Sequence, residues 1–106
     1  MSKSYQRFEI LLPLKYNDGQ PVPNKLIGAT ILELRQRFGA ISSETQTIHG
    51  SWSHLGEVYR DDLIRVFVDV EDKRAARKFF IAFKENLKQR FQQLEIWITS
   101  YPIEVL

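Results

Sequence analysis

Two histidines, His49 and His54, flank Trp52 in one short stretch. Neutral imidazole is the side chain best suited to hold a metal or move a proton near pH 7. Five residues apart in a regular strand, the two rings point to opposite faces. No third ligand stands at a metal-binding spacing, so no metal site is expected. Asp61-Asp62 is a pair of carboxylates, but neighbours in a strand cannot share one reacting atom, and the pair reads as a bulge or a solvent-facing break. The five glycines are scattered, and none fits a phosphate-cradling GxGxxG or GxxxxGKS loop. Ser42-Ser43 lacks the context of a nucleophile elbow. The chain has no cysteine, which removes disulfides, thiolate metal sites and cysteine nucleophiles together. No catalytic residue and no cofactor is expected.

The elements that would position these groups follow from periodicity. Phe8, Ile10, Leu12 and Leu14 alternate with Arg7, Glu9 and Leu11, the signature of a half-buried strand, here over 5–16. Asn17-Asp18-Gly19 is a turn signal. Ile27, Ile31, Leu34 and Phe38 share one face of a helix over 24–38, approached through Pro21 and Pro23 and stopped at Gly39. Two strands follow, over 41–53 and 58–70, joined by a turn at His54-Leu55-Gly56-Glu57. The first is polar and suits an edge, with Gly50 marking a bulge. The second carries β-branched residues at every other position, Ile64, Val66, Val68 and Val70. Asp72 is the N-cap of a second helix over 73–91, which aligns Ala76, Phe80, Phe83, Leu87 and Phe91. A last strand over 94–101 ends at Pro102, leaving Ile103 to Leu106 as an apolar tail and a candidate extra strand.

The order β-α-β-β-α-β predicts a single α+β domain over 1–106, a ferredoxin-like sandwich with a four-stranded antiparallel sheet and both helices on one face. The first and third strands are expected at the centre, and Met1 to Ser4 are expected to be disordered. Forty-three per cent hydrophobic and 26% charged residues suit one soluble domain of this size. The opening residues lack an apolar run of signal-peptide type, and no stretch approaches the ~20 apolar residues that span a bilayer. A cytoplasmic location, without membrane association, is the expectation.

The opening Phe8-Glu9-Ile10-Leu11-Leu12-Pro13-Leu14 with its Asn17-Asp18-Gly19 turn, the His49-Gly50-Ser51-Trp52 segment with Tyr59 and Asp61, the Val68 to Asp72 run and the closing stretch from Phe91 to Val105 together resemble a family of short, stand-alone bacterial ferredoxin-like α+β proteins. The resemblance spans nearly the whole chain and implies an intact single domain. It carries no activity and no catalytic residue.

If helices cover one sheet face, the other presents Arg7, Glu9, Leu11, Arg65, Phe67, Asp69, Trp97, Thr99 and Tyr101. Of these, Glu9, Leu11, Arg65, Phe67, Trp97 and Tyr101 are the candidate ligand or interface residues, with His49, Trp52 and Tyr59 as weaker candidates near the hairpin. Large apolar patches are rarely left bare. The leading expectation is therefore a non-catalytic interaction domain, homodimeric through this face, its arginines and carboxylates pairing between copies. The alternative is a small cofactor-free enzyme or ligand binder of the dimeric α/β-barrel type. It requires a cavity of at least ~300 Å³ between sheet and helices, with His49, Arg65, Glu9 and Tyr101 as its polar groups. Nucleic acid is disfavoured as a partner: the net charge is only +2, the first strand offers no stacking aromatic, and Glu9, Asp69 and Glu95 repel phosphate. The basic side of the second helix, with Glu85 interrupting it, reads as a solvated face.

Overall fold

The computed structural model describes residues 3–44 and 46–106. The chain runs β1 (Lys3–Pro13), α1 (Asn24–Phe38), β2 (Ser42–Ser43), β3 (Ile48–His54), β4 (Glu57–Val70), α2 (Lys73–Arg90) and β5 (Ile98–Val105). The fold is α+β, with two helices and one antiparallel sheet ordered β2-β4-β1-β5, and with β3 also paired to β4. β1 and β4 hold the centre, where the element order places the first and third expected strands.

The sheet has five strands, not four. The edge expected as one strand over 41–53 is in two pieces, Ser42–Ser43 and Ile48–His54, both on β4. The cause is visible in the sequence: Ser42 to Thr47 has no apolar alternation to hold a register, and Glu44 turns its side chain to Arg65. Gly50 is not a bulge but stands in register opposite Asp61. Asp61 and Asp62 do not break the ladder either; both sit inside β4 with partners on β3.

β5 also differs from expectation. Residues 94–97 form a connecting segment, and the strand begins at Ile98 and continues through Pro102 as far as Val105. Pro102 pairs with Gln6 at the sheet's edge, where a missing N–H on the outer side costs no ladder bond. The apolar tail is therefore the second half of the same strand. Lys3 and Ser4, expected to be disordered, lie in β1 opposite Val105 and Glu104; Met1 and Ser2 lie outside the described residues.

The helix boundaries follow local chemistry. Pro23 opens α1, and Gly39 closes it in the left-handed region at φ 84°, its N–H donating to the Arg35 carbonyl. The carboxylate of Asp72 accepts from the Ala75 N–H at 3.1 Å and caps α2. Both helices pack on one sheet face. Phe8, Ile10, Leu12, Val66 and Val68 from the two central strands are buried with Leu34 of α1 and Ala76, Phe80, Phe83 and Leu87 of α2. Phe80 stacks on Phe8 with centroids 4.7 Å apart and on Phe38 at 5.4 Å. Thr30, at the α1–α2 seam, is fully buried. Its hydroxyl donates to the Leu26 carbonyl and accepts from Arg90 at 2.9 Å, so the buried oxygen is satisfied.

Candidate functional site: a hollow between two tryptophans on the open sheet face

The sheet face away from the helices is held together by its own charges. The Arg7 guanidinium donates Nε–H and Nη2–H to the two oxygens of Asp69, at 2.8 and 3.0 Å, and lies 4.3 Å above the Phe67 ring. This bidentate partner holds Arg7 still more firmly in its charged form. Arg65 donates to Glu44 and lies 3.6 Å from Glu9, and Glu44 is the larger cause of its raised pKa. Tyr101 donates to Glu9 at 2.6 Å. Glu9, Arg65, Phe67 and Tyr101 thus share one face, but the charges expected to reach a second copy find partners inside the chain.

Beside this network, toward the end of β1, the face opens into a hollow of about 330 Å³. Leu11, Pro13 and Leu63 form its floor, from the two central strands. Gly50, Ser51, Trp52 and Asp61 of the β3–β4 hairpin line one side, and Gln93, Glu95, Ile96 and Trp97 of the connection to β5 line the other. Period two puts Leu11, Pro13, Asp61 and Leu63 on the same side of their strands. The carbonyl of Trp97 accepts from the Leu11 N–H at 3.0 Å, which fixes the connection against β1. Trp97 itself is 62% exposed.

The two indoles are held differently. Trp52 faces Tyr59 across the ladder, as its position relative to the turn predicts, and the rings stack at 4.5 Å. Its Nε1–H donates to Oδ2 of Asp61 at 2.7 Å. On the opposite side Oε1 of Glu95 accepts from the Ile96 N–H at 3.0 Å and from Lys84 at 2.9 Å. The lysine is the main reason that the Glu95 carboxyl lies below the usual glutamate range. Gln93 is nearly buried and donates its amide to the Phe91 carbonyl.

No arginine or lysine lines this hollow, whereas two carboxylates and two indoles do. An apolar slot with aromatic walls and acidic corners suits a flat ring bearing hydroxyls or a positive charge. It repels an anion.

Of the sequence candidates, Leu11, Trp52 and Trp97 line the hollow, and Glu9, Arg65, Phe67 and Tyr101 form the adjoining network. Tyr59 supports Trp52 from behind. His49 is elsewhere: its Nδ1 is 2.8 Å from Oδ1 of Asp62, and Lys15 lies 3.1 Å from the other oxygen. These partners, His49 first, hold the Asp62 carboxyl below its ordinary range. The hollow lies on the open face rather than between sheet and helices, and His49, Arg65, Glu9 and Tyr101 do not line it. Gly50, Asp61, Leu63, Gln93 and Glu95 are site residues that the sequence did not single out as such. Asp61 and Leu63 could have been found by extending the Arg65–Phe67–Asp69 alternation backwards along β4.

No family model matches the chain, and no curated protein matches it either. Its fold is similar to that of solved phage proteins. A phage SAM lyase in complex with S-methyl-5'-thioadenosine superposes with a TM-score of 0.69, at 14% identity, over 95% of this chain and 90% of that one. A phage SAM lyase in the apo state gives a TM-score of 0.61, also at 14% identity, over 98% of this chain and 90% of that one. At this identity the likeness is one of fold.

Proposed function

We propose that this chain is a small-ligand protein that takes an adenosyl thioether or adenosyl sulfonium into the hollow between Trp52 and Trp97. The observation that carries the reading is the lining itself: two indoles, an apolar floor, the carboxylates of Asp61 and Glu95, and no basic side chain. A purine stacks on an indole, ribose hydroxyls donate to a carboxylate, and a sulfonium is attracted both to π faces and to negative charge. The fold is shared with proteins solved as SAM lyases, one holding S-methyl-5'-thioadenosine, and this supports the ligand class. The ferredoxin-like description and membership of the short bacterial family that the sequence resembles belong to the same proposal.

Isothermal titration with S-adenosylmethionine and with S-methyl-5'-thioadenosine tests it. Saturable binding that weakens at least roughly fivefold in Trp97→Ala is expected, since stacking one base on an aromatic contributes ~1–3 kcal/mol. No heat with either compound up to millimolar concentration in the folded wild-type protein overturns the reading. Chromatography of the same mixtures separates a binder from a lyase, because a lyase converts the sulfonium to the thioether faster than a protein-free control does.

A second reading keeps the open face as a contact between two copies. It is favoured by the exposure of Trp97 and Tyr101 on that face, 62% and 40%. Light scattering of the wild type and Trp97→Ala decides it: a dimer that the substitution dissociates supports an interface, and a wild-type monomer removes it.

A further inference from the structure

A second hollow, of about 360 Å³, lies on the other side of the sheet at the start of α2. It is lined by Gln6, Phe8, Lys73, Arg74, Arg77 and Ser100. Gln6 and Ser100 are paired by a side-chain hydrogen bond, and Phe8 is a buried floor. Three of its six lining residues are cations and none is an acid, the reverse of the tryptophan hollow.

The charge here is uncompensated. None of Lys73, Arg74 and Arg77 belongs to an ion pair among the described residues. The two carboxylates next to them in sequence are engaged elsewhere: Glu71 lies 3.9 Å from Lys3, and Asp72 caps the Ala75 N–H. The first turn of α2 carries no acidic residue, although the positive end of a helix dipole favours acids and disfavours bases. Of the four other basic side chains of α2, three are balanced, Lys84 by Glu95, Lys88 by Glu85 and Arg90 by Glu33, while Lys78 has no ion-pair partner among the described residues. α2 thus pairs the cations of its second half and leaves Lys73, Arg74 and Arg77 bare around a concavity, with Lys78 bare beside them.

We propose that this hollow binds a phosphomonoester, with Lys73, Arg74 and Arg77 contacting the phosphate oxygens and the Gln6–Ser100 pair offering neutral hydrogen bonds from the sheet. Arginine forks match the geometry of a phosphate. A dianion satisfies in one step the side chains that the fold leaves without a counter-charge, at a helix end where Asp72 already caps one N–H. The site is separate from the tryptophan hollow and takes a ligand of opposite charge.

Titration of the ¹⁵N-labelled chain at constant ionic strength tests this, with inorganic phosphate, adenosine monophosphate, a short RNA and sodium chloride as separate probes. The expected result is saturable shifts confined to the amides of residues 72–78, Gln6 and Ser100, with a dissociation constant on the order of 1 mM for phosphate. The Arg74→Gln, Arg77→Gln double variant should weaken it at least roughly tenfold while retaining the wild-type spectrum elsewhere. Tighter binding of the nucleotide than of phosphate identifies a nucleoside phosphomonoester as the ligand, and equal binding identifies free phosphate. Shifts that chloride reproduces, or that never saturate, overturn the proposal. So does binding shown only by a short RNA, which assigns the patch to a polyanion instead.

Discussion

The indole N–H of Trp52 donates to the Asp61 carboxylate at 2.7 Å, from β3 to β4, while the same ring stacks on Tyr59 at 4.5 Å. The two contacts fix the indole in plane and in tilt, so Asp61 is at once a wall of the hollow and the brace for another wall. The carboxylate that reads as a break in the strand is what orients the aromatic.

Replacing Asp61 should therefore separate bracing from charge. Asp61→Asn keeps an oxygen acceptor for the indole and should melt within a few degrees of wild type. Asp61→Leu removes the acceptor and should destabilise the chain by roughly 1 kcal/mol, the ordinary value of such a bond. Thermal unfolding followed by Trp fluorescence measures both. Equal losses in the two variants would mean that the hydrogen bond does not hold Trp52.

Much of the frame was legible because local chemistry agreed with the final packing. Pro23 and Gly39 bracket α1, Asp72 opens α2, and the alternation of Ile64, Val66, Val68 and Val70 fixes which side of β4 faces the helices. The site was less legible because it is a product of register. Leu11 meets Trp97 only because β5 pairs with β1, and Gly50 meets Asp61 only because β3 pairs with β4 at one particular offset. No period within one segment encodes that offset. Pro102 misled for a related reason: its effect depends on whether β5 lies at an edge, which is a property of the sheet and not of the segment.

The hairpin turn carries a removable cost. Leu55 has φ 51° and Gly56 φ 83°, both left-handed, as a two-residue turn of this kind requires. Leu55 is also 90% exposed, so its side chain gains little in return. A branched side chain is disfavoured in this region by ~1–2 kcal/mol, and asparagine is not. Leu55→Asn should raise the stability by up to ~1 kcal/mol without touching the hollow. Denaturant titration measures it, and a lower midpoint would contradict the strain.

Gly50 offers a way to fill the hollow without weakening the fold. Its backbone is not among the left-handed positions. A Cβ placed there would stand 3.4 Å from Cδ1 of Leu63, a contact that the flexible end of the leucine can accommodate. Gly50→Ala should leave stability unchanged or raise it by ~0.5–1 kcal/mol, since glycine inside a strand is entropically costly. The added methyl sits against the floor of the hollow, so affinity for an adenosyl thioether should fall. Calorimetry on one preparation reads both quantities, and unchanged affinity would move the ligand away from the hairpin side.

Glu95 links the acid stability of the chain to the same hollow. Its carboxyl lies below the usual range because Lys84 holds it, with the Ile96 N–H adding to the effect. A carboxylate depressed in the folded state binds its proton less readily there than in the unfolded chain. Its contribution to stability is complete above the unfolded pKa, about 4.3 for glutamate, and is lost as pH falls through the lower folded value. Glu95→Gln should therefore lower stability near pH 7 and leave it nearly unchanged at the acid end, so the two pH–stability curves converge below about pH 4. The loss at neutral pH should be small, ~1 kcal/mol or less, because Glu95 is half exposed and solvent screens the pair. Lys84→Met should reproduce the convergence if the lysine is the cause. Unfolding midpoints for the three proteins from pH 3 to 8 supply the comparison, and parallel curves would show that the pair does not titrate with folding.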